Sequence, residues 1–361
     1  MSPSDLIVLS ELTMTFVSPQ YSRNQVNRAG DVLAGRTEFD LDQWVWASAV
    51  LANWRASHAY PINTFQALLR LKLKEIDSKA LVAQRLKRFP SIVTKLQRFP
   101  EMQLARMQDI GGLRAVVSSM ARLRKIEIAY QNATFKHLLV GAKDYVNEPK
   151  EDGYRSIHLV YRYKNVRAPM YEGLSLELQL RTRLQHAWAT AVETMGTFLG
   201  QALKSGQGDT DWRQFFEKAS AAIAIVERTS PVPGFEDCAP KDVFIQVAEA
   251  ERRLKVLHKL SGFAIAADRI TTERGQGAYH LVILDSGSRT VSIRPYALAR
   301  LEEANHAYSE IEARTNAGEP IEAVLVSAGP IDALRKAYPN YFLDTAAFVT
   351  QIEKVIADSR G

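Results

Sequence analysis

Residues 174–193 have the sequence LSLELQLRTRLQHAWATAVE, in which a strand pattern is followed directly by a helix pattern. In the first half, leucine alternates with polar residues that include Glu177, Gln179 and Arg181. A period of two predicts a β-strand with one face in the core and one chemically dense polar face. From residue 183 the apolar spacing changes and predicts an amphipathic helix over 183–199.

Further strand patterns occur earlier in the chain, at LRAVVSS (113–119) and HLVYRY (158–163). Helix patterns and turn residues separate them, so the residues alone predict an α/β or α+β core. In the preceding segment, apolar residues three and four apart predict a helical N-terminal lobe, residues 1–74. The core domain is predicted over 75–228.

The C-terminal part is predicted to be a separate small domain. A second amphipathic helix is expected over 211–228, after the polar stretch KSGQGDTD. A proline-rich linker, 229–241, follows, because proline cannot continue a helix. Residues 242–361 then predict an α+β domain in which YHLVILD and RTVSIRPY form a hairpin and IEAVLVS is a third strand.

Composition excludes several classes of protein. The chain has 361 residues, 46% of them hydrophobic, and a formal net charge of +6, which suits a polyanionic partner such as a nucleotide or RNA. The single cysteine, Cys238, and seven histidines exclude an internal disulfide and argue against zinc. No membrane span or signal peptide is expected, so the predicted location is the cytoplasm.

The segment QRLKRFPSIVTKL, residues 84–96, is a candidate triphosphate site. Arg85 and Lys87 point the same way in an extended run, and Pro90 can open a helix on which Ser91 and Lys95 share a face. Cations and a hydroxyl at a helix N-terminus suit a triphosphate. A solvated basic surface would give the same run of charges.

Two carboxylates are candidates for a magnesium site. Asp109 precedes a buried strand pattern in QDIGGLRAVV, and Glu177 lies on the polar face of the 174–182 strand. A pair of carboxylates on neighbouring strands can hold Mg²⁺, which prefers oxygen ligands. The alternative is that Asp109 caps a turn and Glu177 is a solvated outer-face residue.

A third candidate is the turn in GAKDYVNEPKEDGYRSIHLVY, residues 141–161. A nucleotide site needs an aromatic plate for the base and cations for the phosphates. Both occur within sixteen residues of this segment: Lys143, Lys150, Tyr154, Arg155 and His158. A tyrosine in a turn can equally be a packing residue.

Together these motifs resemble the RelA/SpoT synthetase domain over roughly residues 75–228. The motifs, in the family's order, are Arg85-x-Lys87 with Ser91 and Lys95, Asp109-Ile-Gly-Gly-Leu-Arg114, Lys143-Asp144-Tyr145, Pro149-Lys150-x-x-Gly153-Tyr154-x-Ser156-x-His158 and Glu177-x-Gln179-x-Arg181-Thr182. The resemblance implies an α+β fold with a mixed-sheet nucleotidyltransferase core flanked by helices. No His-Asp dipeptide of the hydrolase domain occurs.

The resemblance also implies roles for the motif residues. Asp109 and Glu177 would hold Mg²⁺, and Tyr154 would stack on the acceptor base. Catalysis would further involve His158 and Gln179. The residues implied to bind ATP, the pyrophosphate donor, or other nucleotide phosphates are Arg85, Lys87, Ser91, Lys95, Arg114, Lys143, Lys150 and Arg181.

The layout of the whole chain is similar to the toxic small alarmone synthetases of the fused toxin–antitoxin, CapRel-like type. The N-terminal segments SRNQVNRAGDVLA and NWRASHAYPINT carry this second resemblance, with a single synthetase domain and a zinc-free C-terminal domain. It implies transfer of pyrophosphate to the 3′ end of tRNA, blocking translation, and a phage protein as trigger.

The acceptor and the regulation are left open by the residues. A guanine nucleotide, GDP or GTP, is the alternative to tRNA, and a non-catalytic nucleotide- or RNA-binding module is the alternative to an enzyme. Asp152 stands where many guanosine-tetraphosphate synthetases have Asn, which favours RNA slightly. Tyr338 and Tyr341, on a stiff Tyr-Pro-Asn-Tyr turn, are the candidate autoinhibitory plug of the ATP site.

Overall fold

The structure, a computed structural model, describes residues 16–132, 135–202, 209–272, 277–285, 288, 290–317, 319, 321–327 and 341–360. By its internal contacts the chain divides into two compact units. Unit 1 comprises residues 1–115, 128–142 and 158–179, and unit 2 comprises residues 116–127, 143–157 and 180–361.

Unit 1 begins with helices, and capping side chains set the starts of the first two. They are α1 (Arg23–Leu33), α2 (Leu41–Ser57) and α3 (Ala59–Ile76). Ser22 and Gln25 form a capping box at α1, and Asp40 accepts from the backbone of Gln43 at α2. The helices predicted for the N-terminal lobe are therefore present, and α1 packs against α2.

A five-stranded mixed sheet follows, with the order β1-β2-β5-β4-β3. The strands are β1 (Leu81–Leu86), β2 (Gly111–Val117), β3 (Leu138–Asp144), β4 (Ile157–Arg162) and β5 (Ser175–Thr182). The intervening helices are α4 (Phe89–Arg98) and α5 (Met120–Gln131). The strand with leucine alternation is the central one, β5, and its leucines are buried. The predicted α+β class is confirmed.

Glycine permits close packing where β2 begins. A Cβ at Gly111 would lie 2.9 Å from Cδ2 of Leu176 and 3.1 Å from Cβ of His58. A side chain at this position would force Leu176 and His58 to shift, so glycine allows the closest packing. This brings Asp109, two residues earlier, to the end of a strand packed closely against β5.

Unit 2 has a hydrophobic core that runs from the helix after β5 to the C-terminal helix. Its helices are α6 (Arg183–Ala202), α7 (Asp209–Glu227), α8 (Pro240–Leu254), α9 (Val256–Thr272) and α11 (Tyr341–Asp358). One buried cluster includes Trp188 of α6, Phe216 of α7, Val247 of α8 and Phe348 of α11. The predicted linker, 229–241, lies within this unit, and a domain boundary there stays a prediction.

The C-terminal hairpin predicted from sequence is confirmed. Strands β6 (Tyr279–Asp285) and β7 (Thr290–Tyr296) pair antiparallel, and β8 (Ile321–Ser327) pairs antiparallel with the other edge of β6. Helix α10 (Leu301–Asn316) packs on β6 and β8 through Ile311. The final helix spans Tyr341–Asp358.

Two remaining expectations concern the proposed plug and the membrane. Tyr338 and the side chain of Tyr341 lie outside the described residues, so the plug stays a prediction. In the part of the chain that the structure describes, no helix has both the length and the apolar character needed to cross a membrane.

Candidate active site

The first group of functional side chains lies in unit 1, around Asp109. Its Oδ2 accepts from Nζ of Lys87 at 2.8 Å, and its Oδ1 accepts from Nζ of Lys95 at 3.0 Å. Lys87 follows β1 directly, and Lys95 lies on α4, which Pro90 helps to start. Burial raises the pKa of Asp109, but hydrogen bonds and charge from the two lysines outweigh it and lower that pKa overall. Asp109 is therefore ionised at neutral pH.

Glu177 is the centre of a second set of contacts in unit 1. Nδ1 of His158, on β4, lies 2.8 Å from its Oε1, and Nε2 of Gln179 donates to its Oε2 at 2.8 Å. Burial raises the pKa of Glu177, yet the hydrogen bond and charge of His158 and the hydrogen bond of Gln179 lower it overall. Arg114, on β2, reaches Oε1 of Gln179 at 3.5 Å.

Asp109 and Glu177 are close enough for the charge of one to change the pKa of the other. The charge of Asp109 raises the pKa of Glu177, while both groups stay ionised. Their side chains are only 22% and 16% exposed. Two partly buried anions that repel each other form a donor set that a divalent cation would neutralise, and Mg²⁺ needs only one or two carboxylates besides waters and substrate phosphates. The residues present therefore fit the predicted Mg²⁺ site.

Two other residues predicted to bind ATP lie on the same two elements as the lysines or next to them. Arg85 is exposed on β1, and Ser91 is half-buried on α4 one turn before Lys95. Exposed cations can turn toward a phosphate without breaking a contact. Lys87 and Lys95, in contrast, would exchange Asp109 for the phosphates of a bound nucleotide.

The second group of side chains lies in unit 2, around Tyr154. Its ring is flanked by Nζ of Lys150, 5.1 Å from the ring centroid, and by Cζ of Arg181, also 5.1 Å away. Nη2 of Arg181 donates to the Tyr154 hydroxyl at 2.7 Å. The ring of Tyr145 packs edge-on against that of Tyr154, with 5.9 Å between the centroids. Nζ of Lys150 also lies over the Tyr145 ring. Two cations and two aromatic rings thus converge on one turn.

Arg181 is buried with unused hydrogen-bonding capacity. The residue is 3% exposed, and its Nε and Nη1 have no hydrogen-bond partner among the residues that the structure describes. A buried guanidinium that lacks partners on two nitrogens carries a large desolvation cost, which an anionic ligand would offset. Arg181 is therefore well suited to receive a phosphate of a bound nucleotide.

Arg155 does not have the role expected from sequence. It is 2% exposed and donates to protein acceptors through all three nitrogens, reaching Ser220, Val146, Thr229 and Ser230. Burial lowers its pKa to about 10, against the opposing charge of Glu227. Arg155 thus connects the Tyr154 turn to the end of α7 rather than presenting a cation to a phosphate.

The turn itself explains Asp152 and Gly153. Oδ1 of Asp152 accepts from the backbone N–H of Tyr154 at 2.9 Å, a local turn bond that an Asn side chain would form equally well. Gly153 has a φ of +81°, and a Cβ there would lie 2.7 Å from Cβ of Ser220. Asp152 therefore has a role in the turn that does not distinguish an RNA acceptor from a guanine nucleotide.

Sequence reasoning did not identify every residue near these groups. Nε of Arg55, on α2, donates to the carbonyl of Lys87 at 2.6 Å, a contact across 32 residues that no local pattern signals. Tyr145 appeared only as a motif member, although its ring packs beside Tyr154. Lys143 is exposed at the end of β3, and its predicted role stays a prediction.

Both groups lie within one stretch of the chain that matches a protein family. Residues 84–196 match the protein family described as "Region found in RelA / SpoT proteins". The matched range includes every nucleotide- and metal-binding residue predicted above, from Arg85 to Arg181. This part of the chain is therefore similar to the region found in RelA and SpoT proteins.

Individual relatives match the same part of the chain. It is 34% identical over 112 residues to the GTP pyrophosphokinase YjbM of Bacillus subtilis, covering 30% of this chain and 52% of that protein. It is 32% identical over 113 residues to the GTP pyrophosphokinase YwaC of the same organism, covering 29% and 52%. The chain spans about half the length of these relatives.

Solved structures include similar folds. The small alarmone synthetase 1 from Bacillus subtilis, bound to its product pppGpp, superposes with a TM-score of 0.40 at 26% identity, covering 48% of this chain and 93% of that chain.

Proposed function

Because residues 84–196 match the region found in RelA and SpoT proteins, we propose that this chain transfers a pyrophosphate group from ATP to a ribose hydroxyl of a nucleotide. The observation that carries the proposal is the ionised Asp109, held by Lys87 and Lys95 and close enough to Glu177 to raise its pKa. Carboxylates, lysines and a short helix N-terminus are the parts that phosphoryl-transfer sites use.

The donor side of the reaction is assigned to unit 1. Lys87 and Lys95, with Arg85 and Ser91, would bind the phosphates of ATP, and Asp109 and Glu177 would hold Mg²⁺. When bound, Mg²⁺ supplies positive charge that neutralises the triphosphate. The acceptor oxygen attacks the β-phosphorus, the bond from that phosphorus to the α-phosphate oxygen breaks, and AMP leaves.

The acceptor side is assigned to unit 2. The Tyr154 ring would stack on the acceptor base, a contact that tolerates different bases, and Arg181 and Lys150 would bind acceptor phosphates. Among the described residues, Nε and Nη1 of Arg181 have no acceptor, and a phosphate of the bound nucleotide would supply one. The hydroxyl proton would pass to a carboxylate, for which ionised Glu177 is the candidate.

A guanine nucleotide is the acceptor favoured by the relatives. Both Bacillus subtilis proteins named above are GTP pyrophosphokinases, and Asp152 forms a turn bond that gives no preference for RNA. We therefore propose GDP or GTP as the acceptor.

Incubation of the protein with ATP labelled in the γ position and either GDP, GTP or bulk tRNA tests this directly. Label on none of the three would refute the transferase proposal.

A tRNA-directed toxin is the second candidate function. The net charge of +6 favours a polyanionic partner, and the chain's layout resembles the fused toxin–antitoxin type. In that case tRNA acquires label at its 3′ end and translation stops. The C-terminal part would then restrain the enzyme, through Tyr338 and Tyr341, until a phage protein binds it. Arrest of growth on expression of a Tyr338→Ala/Tyr341→Ala variant, dependent on Asp109, is the expected sign.

A further inference from the structure

Two arginines from the N-terminal part of the chain contact the backbone of the donor site: Arg36, in the loop between α1 and α2, and Arg55, on α2. We infer that Arg36 and Arg55, which lie outside the RelA/SpoT region, are positioning residues for the ATP-binding lysines Lys87 and Lys95. The inference rests on the proposed function. All four residues belong to unit 1.

Arg55 fixes the backbone at Lys87. Its Nε donates to the Lys87 carbonyl at 2.6 Å, and the Lys87 N–H donates to the carbonyl of Ile110 at 2.8 Å. The backbone carbonyl of Lys87 is thus bound by α2, and its backbone N–H is bound by Ile110, the residue after Asp109. Because the lysine side chain is long and flexible, a fixed backbone reduces the positions that its ammonium group can take.

Arg36 fixes the end of the helix that carries Lys95. Its Nη2 donates to the carbonyls of Leu96 at 2.6 Å and Phe99 at 3.2 Å, and its Nη1 donates to that of Met102 at 3.1 Å. The last carbonyls of a helix lack partners within the helix, and a cation there also interacts favourably with the helix dipole. Leu96 directly follows Lys95.

The guanidinium of Arg36 is itself held in place. Its Nη1 forms an ion pair with Oδ1 of Asp31 at 2.7 Å. Helix α4 is only ten residues long, a length that is marginal without tertiary contacts. The two lysines that hold Asp109 therefore each depend on an arginine from a segment more than thirty residues away, and both arginines act on carbonyl groups.

Binding of Mg·ATP to the full chain, measured by isothermal titration calorimetry without an acceptor, tests the inference. We expect Arg36→Met and Arg55→Met each to raise the dissociation constant roughly tenfold, the effect of losing a charge-assisted hydrogen bond. Arg55→Lys keeps a donor and should recover part of the loss. Arg36→Lys should recover less, since one ammonium cannot replace a planar fork.

Arg28→Met is the matched control, because Arg28 is an exposed α1 residue whose guanidinium lies over the Trp46 ring. It should bind Mg·ATP within about twofold of the parent. Parent-like binding by both Arg36→Met and Arg55→Met would overturn the inference while leaving the proposed function intact. A parent protein that binds no Mg·ATP would instead refute the proposed function.

A double-mutant cycle separates positioning from general loss of stability. If Arg36 acts through Lys95, then Arg36→Met should weaken binding far less in a Lys95→Met background than in the parent. The same holds for Arg55 with Lys87. Fully additive losses of binding free energy in both cycles would show that the arginines do not act through the lysines. This holds even if the single variants bind Mg·ATP weakly or melt at a lower temperature.

Discussion

The hydroxyl of Tyr154 accepts a hydrogen bond of 2.7 Å from Nη2 of Arg181, while the same guanidinium lies 5.1 Å from the ring centroid. Arg181 thus restrains the Tyr154 ring through both its hydroxyl and its face, and Nζ of Lys150 also lies over the ring. Such a ring is presented in a defined position, which lowers the entropy lost when a base stacks on it.

We predict that Tyr154→Ala weakens use of the acceptor by roughly ten- to a hundredfold, because base stacking is worth about 1–3 kcal/mol. Tyr154→Phe keeps the ring and should lose less than tenfold. The measurement is kcat/KM for the acceptor at saturating ATP, with the dissociation constant of ATP as the control. Loss of ATP affinity with an unchanged acceptor KM would mean that the two subsites are assigned in reverse.

Asp109→Asn and Glu177→Gln are predicted to lower the rate of label transfer by at least about a hundredfold. Each keeps the shape of the side chain and removes one charge of the metal-binding pair, so circular dichroism should show an intact fold. Glu172→Gln is the control, since Glu172 is exposed in the loop before β5. Near-normal transfer by either variant, in excess Mg²⁺, would show that the metal site has been misplaced.

The amino-acid sequence predicted which side chains share a face better than it predicted the contacts that support them. Alternation alone placed Glu177 and Gln179 on one face of a strand, and the two make a hydrogen bond there. Arg55 could not be identified, because its role depends on α2 packing beside residue 87. Arg155 was misinterpreted because its acceptor Ser220 lies 65 residues further along, and only the fold shows that this cation is buried.

Arg155→Met is predicted to lower the free energy of unfolding by about 3 kcal/mol, since it leaves several buried acceptors unpaired and removes the charge that interacts with Glu227. Arg155→Lys should also destabilise, because one ammonium cannot reach all the acceptors. Denaturant unfolding gives the comparison. Arg162→Met, at an exposed position of β4, should change stability by less than about 0.5 kcal/mol. Equal effects at the two sites would contradict the buried role.

Gly153→Ala is predicted to destabilise more than Gly234→Ala. Both glycines have left-handed φ angles, +81° and +87°, so each alanine pays the backbone strain of about 1–2 kcal/mol. Only at Gly153 would the new methyl meet a neighbour, Cβ of Ser220 at 2.7 Å, which adds roughly 1–3 kcal/mol. The difference in melting temperature between the two variants measures the cost of the contact with Ser220. Equal losses would mean that the turn moves away from α7 without cost.

Glu251 gives a prediction for the pH dependence of stability. Burial raises its pKa to about 7 from the ordinary 4.5, opposed by hydrogen bonds from the backbone N–H groups of Leu257 and Val256 and by the charge of Lys259, while Glu353 raises it further. Between pH 4.5 and 7 the folded protein keeps a proton that the unfolded chain has lost. The stability contributed by protonation is therefore full below pH 4.5 and is lost as the pH rises through 7.

Glu251→Gln should flatten this dependence, because a glutamine is neutral at every pH and its carbonyl can still accept from Leu257. The free energy of unfolding of the parent should fall more steeply between pH 5 and 7 than that of the variant, by at most about 1.4 kcal/mol per pH unit. At pH 8 the variant should be the more stable of the two. Denaturant titrations at several pH values measure both slopes. Parallel slopes would show that Glu251 is ionised in the folded protein throughout this range, and that solvent reaches the carboxylate between α8 and α9.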